Sequence, residues 1–190
     1  MVSSPFCRWF LGFAVALGGL GGCSGSGGDA GDGGAPACFD PIEASFNGFH
    51  GWMSADASND GGVMDGVHGL GPMKVYWNKS PPHGSTTFPV GTIIVKETEQ
   101  SDPTQRVVFA MAKEGCGYNA PTSSTAGALG WQWVSLQNNA DGTVKELWGG
   151  PVAPAGQTYA GMPVGDCNGC HAGAAKNDHV WDSALQLSSF

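Results

Sequence analysis

The chain has 190 residues, 41% of them hydrophobic and 10% aromatic, enough to bury one core and too few for a multi-domain enzyme. A net charge of −8 argues against a nucleic-acid partner, because phosphate binding needs clustered Lys and Arg. Seven Trp and nine Phe exclude disorder throughout, although 32 Gly, many of them bunched, set part of the chain outside any domain.

Residues 1–22 read as a lipoprotein signal peptide. Arg8 supplies the positive start, and residues 9–20 are an apolar stretch of twelve residues. A bilayer span needs about 20, so this stretch suits a secretory signal better than a membrane helix. Leu20-Gly21-Gly22-Cys23 resembles a bacterial lipobox, which makes Cys23 the expected lipidation site. The alternative is an ordinary signal peptide with an incidental Cys. Ser24, in place of the Asp that usually retains lipoproteins in the inner membrane, favours the periplasmic face of the outer membrane. With Cys23, residues 24–37 form a tether: six Gly, two Asp and no large apolar side chain cannot build a core. As a flexible coil it reaches about 20 Å.

The folded body then spans residues 38–190. Asp40-Pro41-Ile42-Glu43 has the signature of a helix start, and Ile42, Phe46 and Phe49 recur at i, i+4 and i+7, predicting a short helix that ends near Met53. Residues 54–71, rich in Gly, Asp and Asn, read as loop. Extended runs follow at residues 73–77, 91–97 (with Thr92-Ile93-Ile94-Val95 the clearest), 106–112 and 131–137. A turn over residues 138–142 feeds a last run at 143–148, which predicts a hairpin. Near the C-terminus Asp178 is placed to cap a short helix through Leu187. Turns rather than crossover helices join the strands, so the expected fold is α+β: a mainly antiparallel sheet with a helix near each end.

Cys167-Asn168-Gly169-Cys170-His171 is a C-x-x-C-H pentapeptide, the attachment signature of haem c. In that signature two thioether bonds fix the porphyrin, and the short spacing places the adjacent His171 to ligate the iron from the same side. A redox C-x-x-C would follow a strand in a βαβ unit, and a tetrahedral zinc site needs a second ligand pair; neither pattern is visible. Of the six Cys, Cys7 leaves with the signal and Cys38 and Cys116 remain. In an oxidising compartment the expectation is a disulfide between them, worth on the order of 4 kcal/mol by loop closure. Two separate buried thiols are the alternative.

A family resemblance joins these parts. Phe88-Pro89-Val90-Gly91-Thr92-Ile93-Ile94-Val95-Lys96-Glu97, residues 107–113, Gly130-Trp131-Gln132-Trp133, Cys167 to His171 and Asn177-Asp178-His179-Val180-Trp181 resemble cytochrome P-460 and the beta-type cytochromes c′. The F-P-x-G-T-x-x-x-K-E and C-x-x-C-H-x₆-D segments are the specific ones. The resemblance implies a single haem c domain, a homodimer, and a five-coordinate iron open to small nitrogen ligands such as hydroxylamine or NO. It also implies that Lys96 matches the lysine cross-linked to haem in the hydroxylamine-oxidising members. A neutral amine is a nucleophile, and burial beside a porphyrin favours the neutral form. Read without the resemblance, Lys96 is a lysine snorkelling from a sheet edge towards Glu97 or Glu99.

Where the family places a distal Arg, this chain has Met73-Lys74. Phe46, Phe49, Trp52, Phe88 and Trp133 are candidates for an apolar distal cap, and His50 and His68 for distal ligands or bases. The alternative for the aromatic residues is plain core and for the histidines an exposed loop, while Met111 reads as core. The expected function is oxidation of hydroxylamine or a related species, with electrons leaving to a soluble redox partner. The alternatives are an NO-binding or sensing module without turnover, and an electron-transfer cytochrome with a Met or His sixth ligand. The membrane enters only through the N-terminal lipid.

Overall fold

The computed structural model describes residues 38–57, 72–102, 106–159, 162–163 and 167–190. The signal, Cys23, the tether and His68 lie outside the described residues. Six strands form one meander, β1 (Met53–Asp56), β2 (Met73–Trp77), β3 (Ile93–Thr98), β4 (Val108–Lys113), β5 (Trp131–Asn138) and β6 (Val144–Gly150), each antiparallel to the next. A two-stranded ribbon, β7 (Thr158–Tyr159) with β8 (Met162–Pro163), precedes a single α-helical turn, α1 (Cys167–His171).

The β-branched run at Ile93-Ile94-Val95 occupies the middle of the sheet, where pleated packing suits it. The β5–β6 hairpin closes where Gly142 takes φ +84° and Asp141 accepts from the Thr143 amide at 3.0 Å. A bulge shifts the β5–β6 register between Ser135 and Leu136 and leaves Leu147 unpaired. Strand β1 starts at Met53, where the expected helix ends, and runs into the stretch expected to be loop. It forms by edge pairing of Met53–Asp56 with β2, a tertiary cause that its polar sequence conceals.

The expected terminal helices are corrected. The first is two short 3₁₀ turns, Glu43–Phe46 and Phe49–Gly51, separated by Gly48 at φ +72°. Ile42, not Asp40, stands at the cap. The turns serve the sheet edge instead of propagating: Asn47 Oδ1 and Glu43 Oε2 accept the outward amides of Val144 (2.9 Å) and Glu146 (2.8 Å) on β6. At the C-terminus Asp178 starts no helix. It ends the 3₁₀ stretch Ala172–Asn177 at φ +51°, and two later 3₁₀ turns, Ser183–Leu185 and Leu187–Ser189, follow. The cap of Ser183–Leu185 is Asp182, which accepts from the Ala184 amide at 2.9 Å.

Strand alternation divides the core in two. One face presents Val75, Ile94, Met111, Trp131, Trp133 and Trp148, and the C-terminal segment lies on it through Cys167, Val180, Leu185 and Leu187. The other presents Tyr76, Val95, Val108, Val134 and Leu136 and is covered by Phe46 and Phe49 from the N-terminal turns.

Candidate functional site

In α1, positions i, i+3 and i+4 put Cys167, Cys170 and His171 on neighbouring positions of one turn. The residue between the cysteines anchors that turn. Asn168 is buried, its Oδ1 accepts from Trp133 Nε1 (2.8 Å) and Asn119 Nδ2 (2.9 Å), and its Nδ2 donates to Asn119 Oδ1 (3.0 Å) and the Ala126 carbonyl (3.2 Å). Asn119 also donates to the Trp131 carbonyl at 2.8 Å. The turn is therefore tied to β5 by a side chain that a C-x-x-C-H pattern leaves unspecified. Cys167 and Cys170 are half-buried.

His171 is buried, its ring 4.4 Å from that of Trp133. Its Nδ1 lies 2.6 Å from the His179 carbonyl oxygen. A carbonyl only accepts, so Nδ1 carries the proton and, in the neutral ring, Nε2 carries the lone pair. Burial pushes the imidazole down to about 4; the bond to His179 opposes this and the nearby Lys96 charge adds to it. At neutral pH this is a ligand-ready histidine.

Lys96 stands on the same sheet face. Its register row runs Ala55, Val75, Lys96, Phe109, Ser135 and Trp148, next to the row of Trp77, Ile94, Met111 and Trp133. Its Nζ donates to the Trp181 carbonyl at 2.6 Å and pairs with Asp182 Oδ2 at 3.2 Å. β3 is an interior strand, so Lys96 is not at a sheet edge, and its carboxylate partner comes from the C-terminal segment. Trp181 in turn donates from Nε1 to the Cys170 carbonyl at 3.1 Å. One short segment thus joins Lys96 to the cysteine turn.

Comparison with family models, with curated proteins and with solved structures finds no match.

The other candidates divide between the two faces of the sheet. Phe46, Phe49, Trp52, His50 and Lys74 belong to the opposite face of the sheet, away from α1. Phe88, Trp133 and Met111 lie in the core on the α1 side. His50 serves a second polar cluster: the buried Glu97 carboxylate accepts from His50 Nε2 (3.1 Å), Asn138 Nδ2 (2.6 Å), Arg106 (3.2 Å) and Tyr76 OH (3.4 Å). Four donors fill the carboxylate's acceptor positions. Burial, with the Glu97 charge adding, pushes the Tyr76 phenol up to about 12. Cys38 and Cys116 are disulfide-bonded with Cα atoms 5.5 Å apart. Among the described residues no group of three or more His, Cys, Asp or Glu is arranged to hold a metal ion.

Proposed function

We propose that this chain is an exported mono-haem c protein of the cytochrome P-460 type that oxidises hydroxylamine or a related small nitrogen species. The observation that carries the reading is that Lys96 and the C-x-x-C-H turn, 71 residues apart at their nearest, share one sheet face and are linked through Trp181. The donor set suits a porphyrin. A porphyrin brings four nitrogens of its own, so the chain need supply only one imidazole and two thiols, which are what α1 offers. The half-buried Phe109 and Trp77 and the buried Trp148 give that face an aromatic wall.

Haem held there by Cys167, Cys170 and His171 would supply an iron able to take electrons from a small ligand. The chain does the rest. His171 presents Nε2 because His179 holds Nδ1, Asn168 fixes the turn, and Asp182 holds the Lys96 amine. The proposal includes a homodimer, a lipid anchor at Cys23 on the periplasmic face of the outer membrane, and a soluble redox partner that accepts the electrons.

A second reading, NO capture without turnover, is favoured by one contact. A Lys96 ammonium paired with Asp182 is no nucleophile. The full chain, matured with haem in a bacterial periplasm, distinguishes the two. Turnover predicts hydroxylamine-dependent reduction of an artificial acceptor, a red-shifted ferrous Soret band and a tryptic haem peptide carrying the Lys96 strand. Lys96→Ala then returns the Soret band to the ordinary haem c position. An ordinary high-spin haem c spectrum without turnover selects NO capture, and colourless protein overturns both.

A further inference from the structure

The C-terminal segment carries a feature that ligation alone does not require. Asp178 and His179 are consecutive non-glycine residues at positive φ, +51° and +66°. Asp and His visit that region more readily than most residues, yet two in succession persist only where the surroundings impose them. The surroundings here are specific. Asp178 is buried, its Oδ1 meets Lys113 Nζ at 2.7 Å, and its Oδ2 accepts the Phe88 amide at 2.8 Å. Its carbonyl accepts from Trp131 Nε1 at 2.7 Å, and the next amide, that of His179, donates to Ala174 at 2.9 Å. Lys113 is held over the Trp131 ring, 4.8 Å from its centroid, and donates to the Leu129 carbonyl at 2.8 Å. Both carboxylate oxygens and the carbonyl of Asp178 are thus bound to β4, to the start of β5 or to the loop before β3, while its amide donates to the Ala175 carbonyl at 3.2 Å and closes the preceding 3₁₀ stretch. The product of this restraint is the His179 carbonyl, set on His171 Nδ1 at 2.6 Å.

We infer that the buried Lys113–Asp178 pair is a positioning device for the proximal histidine: it fixes the backbone that carries the His179 carbonyl, and so fixes the proton and orientation of His171. The inference rests on His171 as the iron ligand of the proposed function. A firmly held acceptor on Nδ1 gives the ring more electron density to donate through Nε2, which favours ferric over ferrous iron. Neither Lys113 nor Asp178 touches the iron ligand. Both act through the chain turn between them and His171.

The test compares wild type with Lys113→Met/Asp178→Asn, which removes both charges together, keeps the side-chain shapes and leaves no lone buried charge. Asp178→Asn alone is a second variant that removes one charge: Asn accepts positive φ and keeps an acceptor for Phe88 and Lys113, and folding is checked because Lys113 loses its carboxylate. In haem-loaded full chain, the expected result for the double variant is normal covalent haem attachment. Its ferrous iron–histidine stretching band is lower and broader, and the ferrous-to-ferric ratio at fixed ambient potential rises about tenfold, or about 59 mV for one electron. Asp178→Asn shifts both in the same direction by less. In haem-free full chain, nitrogen-15 NMR of His171 is expected to show the Nδ1–H tautomer in wild type and a mixture in the double variant. An unchanged band, potential and tautomer in folded variants overturns the inference. Wild type that matures without haem overturns the proposed function instead, while the tautomer comparison still decides whether the pair positions His171.

Discussion

The two faces of the sheet answer charge in opposite ways. Glu97 and Lys96 are adjacent on β3 and so project to opposite sides. Glu97 is met by donors from His50, Asn138, Arg106 and Tyr76, of which Tyr76 on β2 and Asn138 on β5 stand on strands of the same sheet, and its acceptor positions are filled. Lys96 is met by Trp181 and Asp182, from a segment that also carries the cysteine turn. A charge answered within the sheet stabilises the sheet, whereas a charge answered by a separate segment couples that segment to the sheet. Phe46 and Phe49 close the first face, and half-buried Trp77 and Phe109 remain on the second.

The contrast breaks if the closed face also governs the site. Phe46 is fully buried, so Phe46→Ala leaves a cavity between the N-terminal turn and the sheet and is expected to cost about 3–5 kcal/mol. Chemical denaturation measures that loss. The visible spectrum of the matured protein is expected to stay at its wild-type position, because Phe46 belongs to the opposite core cluster. A spectral shift as large as that of Lys96→Ala would show that the faces are not separable in this way.

Parts of this division were legible in the sequence. The β-branched run at residues 92–95 and the hairpin turn near Asp141-Gly142 carry their own local cause, and the strands form there. The period of two also put Lys96 on a face with Ile94. Other features depend on partners remote in sequence. Residues 40–53 have a helical pattern, but Asn47 and Glu43 are drawn to the β6 edge, and Gly48 stops propagation. Asp178 has the composition of a cap, yet its carboxylate is taken by Lys113, 65 residues earlier. Asn168 carried no signal beyond its place inside C-x-x-C-H, since its partners Asn119 and Trp133 lie on elements whose approach no spacing rule reveals.

A smaller effect sharpens the same contrast on the other side. A Cβ built on Gly173 would lie 2.7 Å from Cζ2 of Trp181, a ring that cannot fold away as a flexible chain end does. Gly173→Ala must therefore displace Trp181, which holds the Cys170 carbonyl and presents its own carbonyl to Lys96. Overpacking of this kind costs about 1–2 kcal/mol. The expected mark is a displaced Soret band in the matured protein and less Lys96 in the haem peptide. Gly51→Ala, where the added Cβ meets nothing within 4 Å, is the control. If the two variants behave alike, Trp181 is no link between the cysteine turn and Lys96.

The smallest expected effect lies at the rim, beyond either face, where the disulfide holds Phe39 beside the end of β4. The Phe39 amide donates to the Glu114 carbonyl at 2.9 Å, bringing Asp40 towards the Glu114 side chain. Burial pushes the Glu114 carboxyl up from 4.5 to about 7, and the Asp40 charge adds to the shift. The folded protein then binds a proton that the unfolded chain has released, so stability from this group is fully present below about pH 4.5 and is lost as pH rises to about 7. Glu114 is only half-buried, and solvent screening keeps the loss below about 1 kcal/mol. Denaturation midpoints between pH 4.5 and 7.5 should fall slightly with pH in wild type. Glu114→Gln should remove that component of the slope, and Asp40→Asn should move its midpoint to lower pH, because one of the two causes is gone. An identical slope in Glu114→Gln would mean that the rim carboxylate is solvated like any surface acid and that pH sensitivity must be sought among the groups buried on the two faces.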